Sequence, residues 1–331
     1  MTKGLLTTSV GSFPKPDYLV KARNKAARGE MAPQELQGLE RKATEQWIRV
    51  QEELGIDILV DGEMYRGDMV AYFAEHWEGF GESGLVRAYG NRYYHKPVVT
   101  GPVRRSTPTT VEWWRYAQSL TSRPVKGMLT GPYTICDWSF DEHYGDREAF
   151  VMALAKAVHD EAKDLEAAGC QYIQIDEPAI CTRAEEVEMA SRALGIVTKG
   201  LKAYTVTHTA EYTQTYGEMA SVFNQLVHLP VDNLDLEMAN SNYFILELFR
   251  RRGLPGDKAI SAGVLDVHTH RIESVDRVKA GIRQLLEVIP PERLWIKPDC
   301  GLKTRLEEEA IAKLKVMVQA VREVKEELGI E

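Results

Sequence analysis

REAFVMALAKAVHDEAKDLEAAGCQYIQIDEPA, residues 147–179, is the stretch that decides the fold. Phe150, Ala153, Leu154, Ala157, Val158, Ala162 and Leu165 recur at i, i+3, i+4 and i+7, so residues 147–168 are expected to form an amphipathic helix. Cys170 marks a helix-to-strand turn, and the short apolar run at 171–175 then reads as a strand. The same alternation continues from about residue 120 onward, which argues for a parallel sheet covered by helices. The candidate strands are eight, at residues 5–10, 56–60, 125–129, 171–175, 203–207, 232–236, 259–263 and 293–297. Eight strands in this rhythm predict an α/β fold of the (β/α)8 TIM-barrel kind. Residues 84–103 break the pattern: their aromatic and β-branched residues with the turn signal Tyr89-Gly90-Asn91 predict an inserted β-hairpin. Neither an internal repeat nor a Gly/Ser/Pro-rich linker divides the chain, so residues 1–331 are expected to form one domain.

A hydrophobic share of 44% and a charged share of 27% are those of an ordinary globular protein. The formal net charge of -8 opposes a nucleic-acid backbone, and the basic triplet Arg250-Arg251-Arg252 falls at an expected helix end, where cations suit the dipole. Nucleic acid is therefore not an expected partner. No apolar run approaches the 18 or so residues of a membrane helix, and the opening MTKGLLTTSV lacks the regions of a signal peptide, so a cytoplasmic location is expected. Cys136, Cys170, Cys181 and Cys300 lie at wide, irregular spacings and read as reduced thiols, one of them a possible ligand.

In a barrel of this kind the catalytic groups sit at the C-terminal ends of the strands. There the apolar runs are followed by Gly11-Ser12, Asp61-Gly62-Glu63, Asp176-Glu177, His208, Glu237, Asp266 with His268, and Asp299-Cys300. Helix caps account for the Ser and Asp positions but not for His, Glu and Cys together. His208, Glu237 and Cys300 are all zinc-ligand types, although their wide spacing makes no motif and Cys300 alone also reads as a small buried hydrophobe. Asp176, Glu177 and Glu63 supply carboxylates to which a ligand's ammonium can pair; Asp176 equally reads as an acceptor inside the barrel. With no Walker or GxGxxG pattern, nothing points to a phosphate substrate. Ser12 beside Gly11 can donate to a carboxylate, which completes a cradle for an amino-acid backbone.

SVGSFP at 9–14, GEMYRGDMVAY at 62–72, KGMLTGP at 126–132, IQIDEPA at 173–179 and PDCGLKTR at 298–305, together with Trp138-Ser139-Phe140 and residues 263–268, resemble the cobalamin-independent methionine synthase family. The likeness runs from about residue 5 to 325 and covers that family's catalytic barrel. It implies a zinc ion at His208, Glu237 and Cys300 that activates homocysteine for methylation to methionine. It also implies that Gly11, Ser12, Glu63 and Asp176 hold the homocysteine backbone, that Trp138 stacks on the methyl carrier, and that His268 assists protonation of the departing carrier.

Two departures from the family pattern shape the expectations. Full-length members carry an N-terminal barrel that helps hold methyltetrahydrofolate polyglutamates, whereas this chain begins at the catalytic half and resembles the short, core-type enzymes. Methylcobalamin or a methylated corrinoid protein is therefore the expected donor, with methyltetrahydrofolate as the alternative. Where the family has His-x-Cys, this sequence reads His208-Thr209-Ala210, which leaves three protein ligands, the count of an ordinary catalytic zinc site. Thr209, Glu211, Asp137 or another cysteine is a candidate to compensate. Two other functions fit the residues less well. Methylation of another thiol, such as coenzyme M or another alkylthiol, is one, because a sulfonate-bearing thiol would call for cationic residues where Ser12, Glu63 and Asp176 stand. A non-catalytic corrinoid- or ligand-binding protein would leave His208, Glu237, Cys300 and His268 without a use.

Overall fold

A computed structural model describes residues 4–88, 92–210, 216–256 and 258–330. Its strands are β1 (Leu6–Thr7), β2 (Glu78–Ala88), β3 (Arg92–Arg104), β4 (Gly127–Thr130), β5 (Phe140–Asp141), β6 (Tyr172–Asp176), β7 (Tyr204–His208), β8 (Asn233–Leu236), β9 (Ala259–Leu265) and β10 (Leu294–Pro298). Its α-helices are α1 (Asp17–Ala27), α2 (Pro33–Leu54), α3 (Ala71–Ala74), α4 (Val111–Ser119), α5 (Pro132–Asp137), α6 (Arg147–Ala167), α7 (Val187–Thr198), α8 (Tyr216–Leu226), α9 (Ile245–Arg252), α10 (Val275–Leu286) and α11 (Glu307–Leu328).

The helix α6 forms as read. Asp146 caps it, its side chain accepting from the N–H groups of Glu148 at 2.9 Å and Ala149 at 3.2 Å, which satisfies two of the donors a helix start leaves open. Phe150, Leu154, Val158, Ala162 and Leu165 bury the expected face. Glu161 is buried among them, which periodicity does not foresee. Its carboxylate accepts from Thr109 and Thr110 and pairs with Arg105 at 2.5 Å, so the loop before α4 satisfies it.

Seven strands form one parallel sheet in the order β1-β10-β9-β8-β7-β6-β4. The gap between its two edges is closed by residues 58 and 59, through parallel bridges Thr8↔Ile58 and Leu59↔Val125. The expected strand at 56–60 is thus reduced to two bridging residues because side chains take its remaining backbone groups. Gln51 bonds both the N–H and the carbonyl of Val60, at 3.0 and 2.8 Å, Thr7 Oγ1 accepts from the N–H of Asp57 at 3.0 Å, and Arg123 donates to the carbonyl of Ile56 at 2.6 Å. With that segment in place the ring is the expected TIM barrel.

The inserted hairpin is β2 and β3, antiparallel, with β5 added beside β3 through Val98↔Phe140 and Val99↔Asp141. It begins at Glu78, earlier than the expected residue 84. Gly79 has φ 92°, and a Cβ there would lie 2.6 Å from the carbonyl oxygen of Pro102, so the strands approach closely only at glycine. The turn Tyr89-Gly90-Asn91 lies outside the described residues.

Inside the barrel, Ile58, Val206 and Trp295 pack with Leu6, Tyr172 and Tyr204 in a small apolar cluster, the Tyr204 and Trp295 rings stacked at 5.3 Å. Beyond this floor the interior is polar, and the parallel register sets Thr130, Asp176, His208 and Asp235 side by side.

Candidate active site at the strand ends

His208 ends β7, Glu237 follows β8 directly, and Cys300 stands two residues after β10. One ligand atom from each comes within 4.8 Å of the others. The Cys300 Sγ lies 3.5 Å from His208 Nε2. With zinc–nitrogen and zinc–sulfur distances of roughly 2.0 and 2.3 Å at a tetrahedral angle, two such ligands sit about 3.5 Å apart. The donor set of one nitrogen, one oxygen and one sulfur and this separation both fit zinc.

The imidazole is aimed from behind. Its Nδ1 is 2.7 Å from Asp235 Oδ1, and the same oxygen accepts from Lys297 Nζ at 2.5 Å. Burial alone would raise the Asp235 carboxyl, but Lys297 and His208 hold it at about 2. Burial lowers the His208 pKa, so the neutral ring donates a hydrogen bond from its Nδ1–H to Asp235 and turns the Nε2 lone pair toward Cys300. Burial, followed by the charge of Glu237, pushes the Cys300 thiol well above its usual range, the effect that a bound cation would reverse. Asp299, next to Cys300, accepts from the N–H groups of Met238 and Ala239 at 2.9 Å and of Asn240 at 2.8 Å, fixing the loop that follows Glu237. Asp235, Lys297 and the clamp role of Asp299 were missed by the sequence reading, since they lie on strand and loop positions with no distinguishing pattern.

A second corner of the rim joins three strand ends. Ser12 bridges Gly62, the carbonyl of Ser12 accepts from the N–H of Leu302 at 2.7 Å, and a Cβ on Gly301 would fall 2.1 Å from Ser12 Oγ. Gly62 and Glu63 are both left-handed, at φ 81° and 58°, in a turn that Asp61 holds by accepting from the Glu63 N–H at 3.0 Å. The Glu63 Oε1 lies 3.0 Å from where a Cβ on Gly11 would stand, so Gly11 makes room for that carboxylate. Asp176 is buried, and burial and then the charge of Glu63 push it up to about 8. Two carboxylates that repel each other in one pocket favour a cation between them.

The remaining expected residues divide. Glu177 does not join Asp176: strand alternation turns it to the outer face, where its carboxylate accepts from the N–H groups of Tyr133 and Thr134. Trp138 is half-buried at the C-terminal end of α5. His268 is exposed on the loop after β9, outside the buried cluster, its N–H donating to Asp266 Oδ1 at 2.9 Å. Of the candidates for a fourth ligand, Asp137 pairs with Arg147 and Arg183, and the Thr209 N–H donates to the Asp235 carbonyl. Cys136, Cys170 and Cys181 are buried and in no disulfide, none grouped with the three ligand types among the described residues, and Glu211 lies outside those residues.

A family model described as "Cobalamin-independent synthase, Catalytic domain" matches residues 5–323. The chain belongs to the cobalamin-independent methionine synthase family. It is 38% identical over 325 residues to a methionine synthase of Sulfolobus acidocaldarius, covering 98% of this chain and 93% of that protein. It is 39% identical over 329 residues to a 5-methyltetrahydropteroyltriglutamate–homocysteine methyltransferase of Chelativorans sp., covering 96% of this chain but only 42% of that one. A structure of a B12-independent methionine synthase from Shewanella sp. W3-18-1 in complex with selenomethionine superposes with a TM-score of 0.88 at 29% identity, over 98% of this chain and 99% of that one.

Membership of the cobalamin-independent methionine synthase family overturns methylcobalamin as the expected donor, and with it the methylated corrinoid protein as partner. That expectation came from chain length, and length carries no chemistry: the Sulfolobus relative is comparably short. No helix among the described residues is long and apolar enough to cross a membrane.

Proposed function

We propose that the chain is a homocysteine S-methyltransferase that draws its methyl group from a 5-methyltetrahydropteroyl-glutamate and forms methionine, with residues 1–331 acting as one catalytic domain. The observation that carries this reading is the nitrogen, oxygen and sulfur of His208, Glu237 and Cys300 converging within 4.8 Å from three strand ends. Those residues would hold a zinc ion, which when bound supplies the charge that turns a substrate thiol into a thiolate at neutral pH.

The chain's own residues do the rest. Burial, helped by the charge of Lys297, keeps His208 neutral, and Asp235 orients it. Glu63 and Asp176 take the homocysteine ammonium, and Asp176 loses its proton as that positive charge arrives. Ser12, beside Gly11, receives the carboxylate. Trp138 offers a flat face to the pteridine ring. The departing pteridine nitrogen needs a proton, and His268, open to solvent, supplies it and is recharged by water. The donor follows the relatives named for 5-methyltetrahydropteroyltriglutamate.

The test is methionine formation by purified, zinc-loaded protein from homocysteine and 5-methyltetrahydropteroyltriglutamate, with the monoglutamate in parallel. Turnover with either donor supports the reading. No methionine from either overturns it, and faster methylation of a thiol without an amino-acid backbone would reassign the acceptor.

A further inference from the structure

Glu177 is the acid that the reaction leaves unused. Its fully buried carboxylate accepts from Tyr133 N at 3.0 Å, Thr134 N at 2.7 Å and Thr134 Oγ1 at 2.7 Å. These are donors of the first turn of α5, whose own N-cap residue, Gly131, makes no side-chain cap. The fit is reciprocal, since a Cβ on Gly131 would fall 2.1 Å from Glu177 Cδ. The backbone of Glu177 reaches the other way, its N–H donating to the His208 carbonyl at 2.8 Å. At the far end of α5, Arg147 pairs with Asp137 at 2.5 Å and with Glu186 at 2.9 Å. Six residues hold too few internal hydrogen bonds to fix themselves, so these outside contacts set where α5 and the Trp138 that follows it lie.

We propose that Glu177 is a positioning residue that locks α5, and with it Trp138, to the strand carrying His208, and so sets affinity for the methyl donor without acting on the metal or the thiol. The inference rests on the donor role proposed for Trp138. Glu177→Gln keeps the volume but presents an amide N–H to a site built of donors. Gly131→Ala attacks the same contact from the opposite side and carries the test if the first variant fails to fold.

Hydrogen exchange at residues 133–138, zinc content and both Michaelis constants are measured on the full chain. In either variant, exchange there should quicken about tenfold and the donor KM rise about tenfold, while homocysteine KM and zinc content stay within about twofold of wild type. Unchanged protection sinks the proposal, as does an unchanged donor KM once protection is lost. A parallel rise in homocysteine KM with loss of zinc would make the role merely structural. If the wild type uses no pteroyl donor, the proposed function fails and the link from Glu177 to the donor falls with it, whereas the exchange result separately decides whether Glu177 holds α5.

Discussion

At the scale of single residues, the proposed zinc ligands depend on the groups behind them. Cys300 and His208 approach to 3.5 Å because Asp235 draws the other ring nitrogen back at 2.7 Å. Cys300→Ala should remove nearly all bound zinc, and retention of full zinc content would refute the site. Asp235→Asn keeps the shape but weakens the hold on the ring, so zinc affinity, read by competition with a chelator, should fall by about 10–100-fold. Asp176 is proposed to face a different partner. Asp176→Asn removes the charge proposed to face the homocysteine ammonium and should raise homocysteine KM by about tenfold or more with zinc content unchanged. A KM that does not move would put the ammonium elsewhere.

At the scale of elements, the loops after β8, β9 and β10 are tied to one another. Asp299 gathers the backbone after Glu237, and its own N–H donates to the carbonyl of Leu265 at 2.9 Å, just before the Asp266–His268 turn. Gly263 admits that carboxylate, since a Cβ there would lie 1.9 Å from Asp299 Oδ1. His268 itself leaves the cluster for solvent, where it can carry a proton to a donor lying across the rim. His268→Ala is expected to lower kcat with the methyltetrahydropteroyl donor by about 100-fold or more while zinc and homocysteine binding persist. An undiminished kcat would assign the proton to another group.

At the scale of the whole molecule, the barrel spends buried charge to build its rim. Lys126, fully enclosed, donates to the Ser9 carbonyl at 2.7 Å and to Gln174 Oε1 at 2.5 Å, and burial lowers its pKa to about 8. Outside the ring, Glu40 of α2 is buried against Arg23 of α1 at 2.6 Å, and burial outweighs that partner and raises its pKa to about 7. The native state therefore binds this proton more tightly than the unfolded chain, whose carboxyl titrates near 4.5. Between those values stability falls as pH rises, with a slope of at most about 1.4 kcal/mol per pH unit from this group, less whatever solvent screens around Arg23. Glu40→Gln should flatten that part of the profile, as measured by urea unfolding at pH 5 and 7.5. Equal slopes in the two proteins would show that the carboxyl is not the titrating group.

The sequence by itself determined the βαβα rhythm, the inserted hairpin and the three ligand types, because apolar period and the residue that ends an apolar run are local properties of the chain. His208, Glu237 and Cys300 could be picked out on that basis alone, without knowing that their atoms meet. Tertiary structure decided what depends on partners far along the chain. Gln51, Thr7 and Arg123 took backbone groups that would have made residues 56–60 a full strand. Register and pleat split the adjacent acids, Asp176 into the pocket and Glu177 onto α5. Asp235, Lys297 and Asp299 became the support of the rim through hydrogen bonds across strands, which only the closed barrel brings within reach.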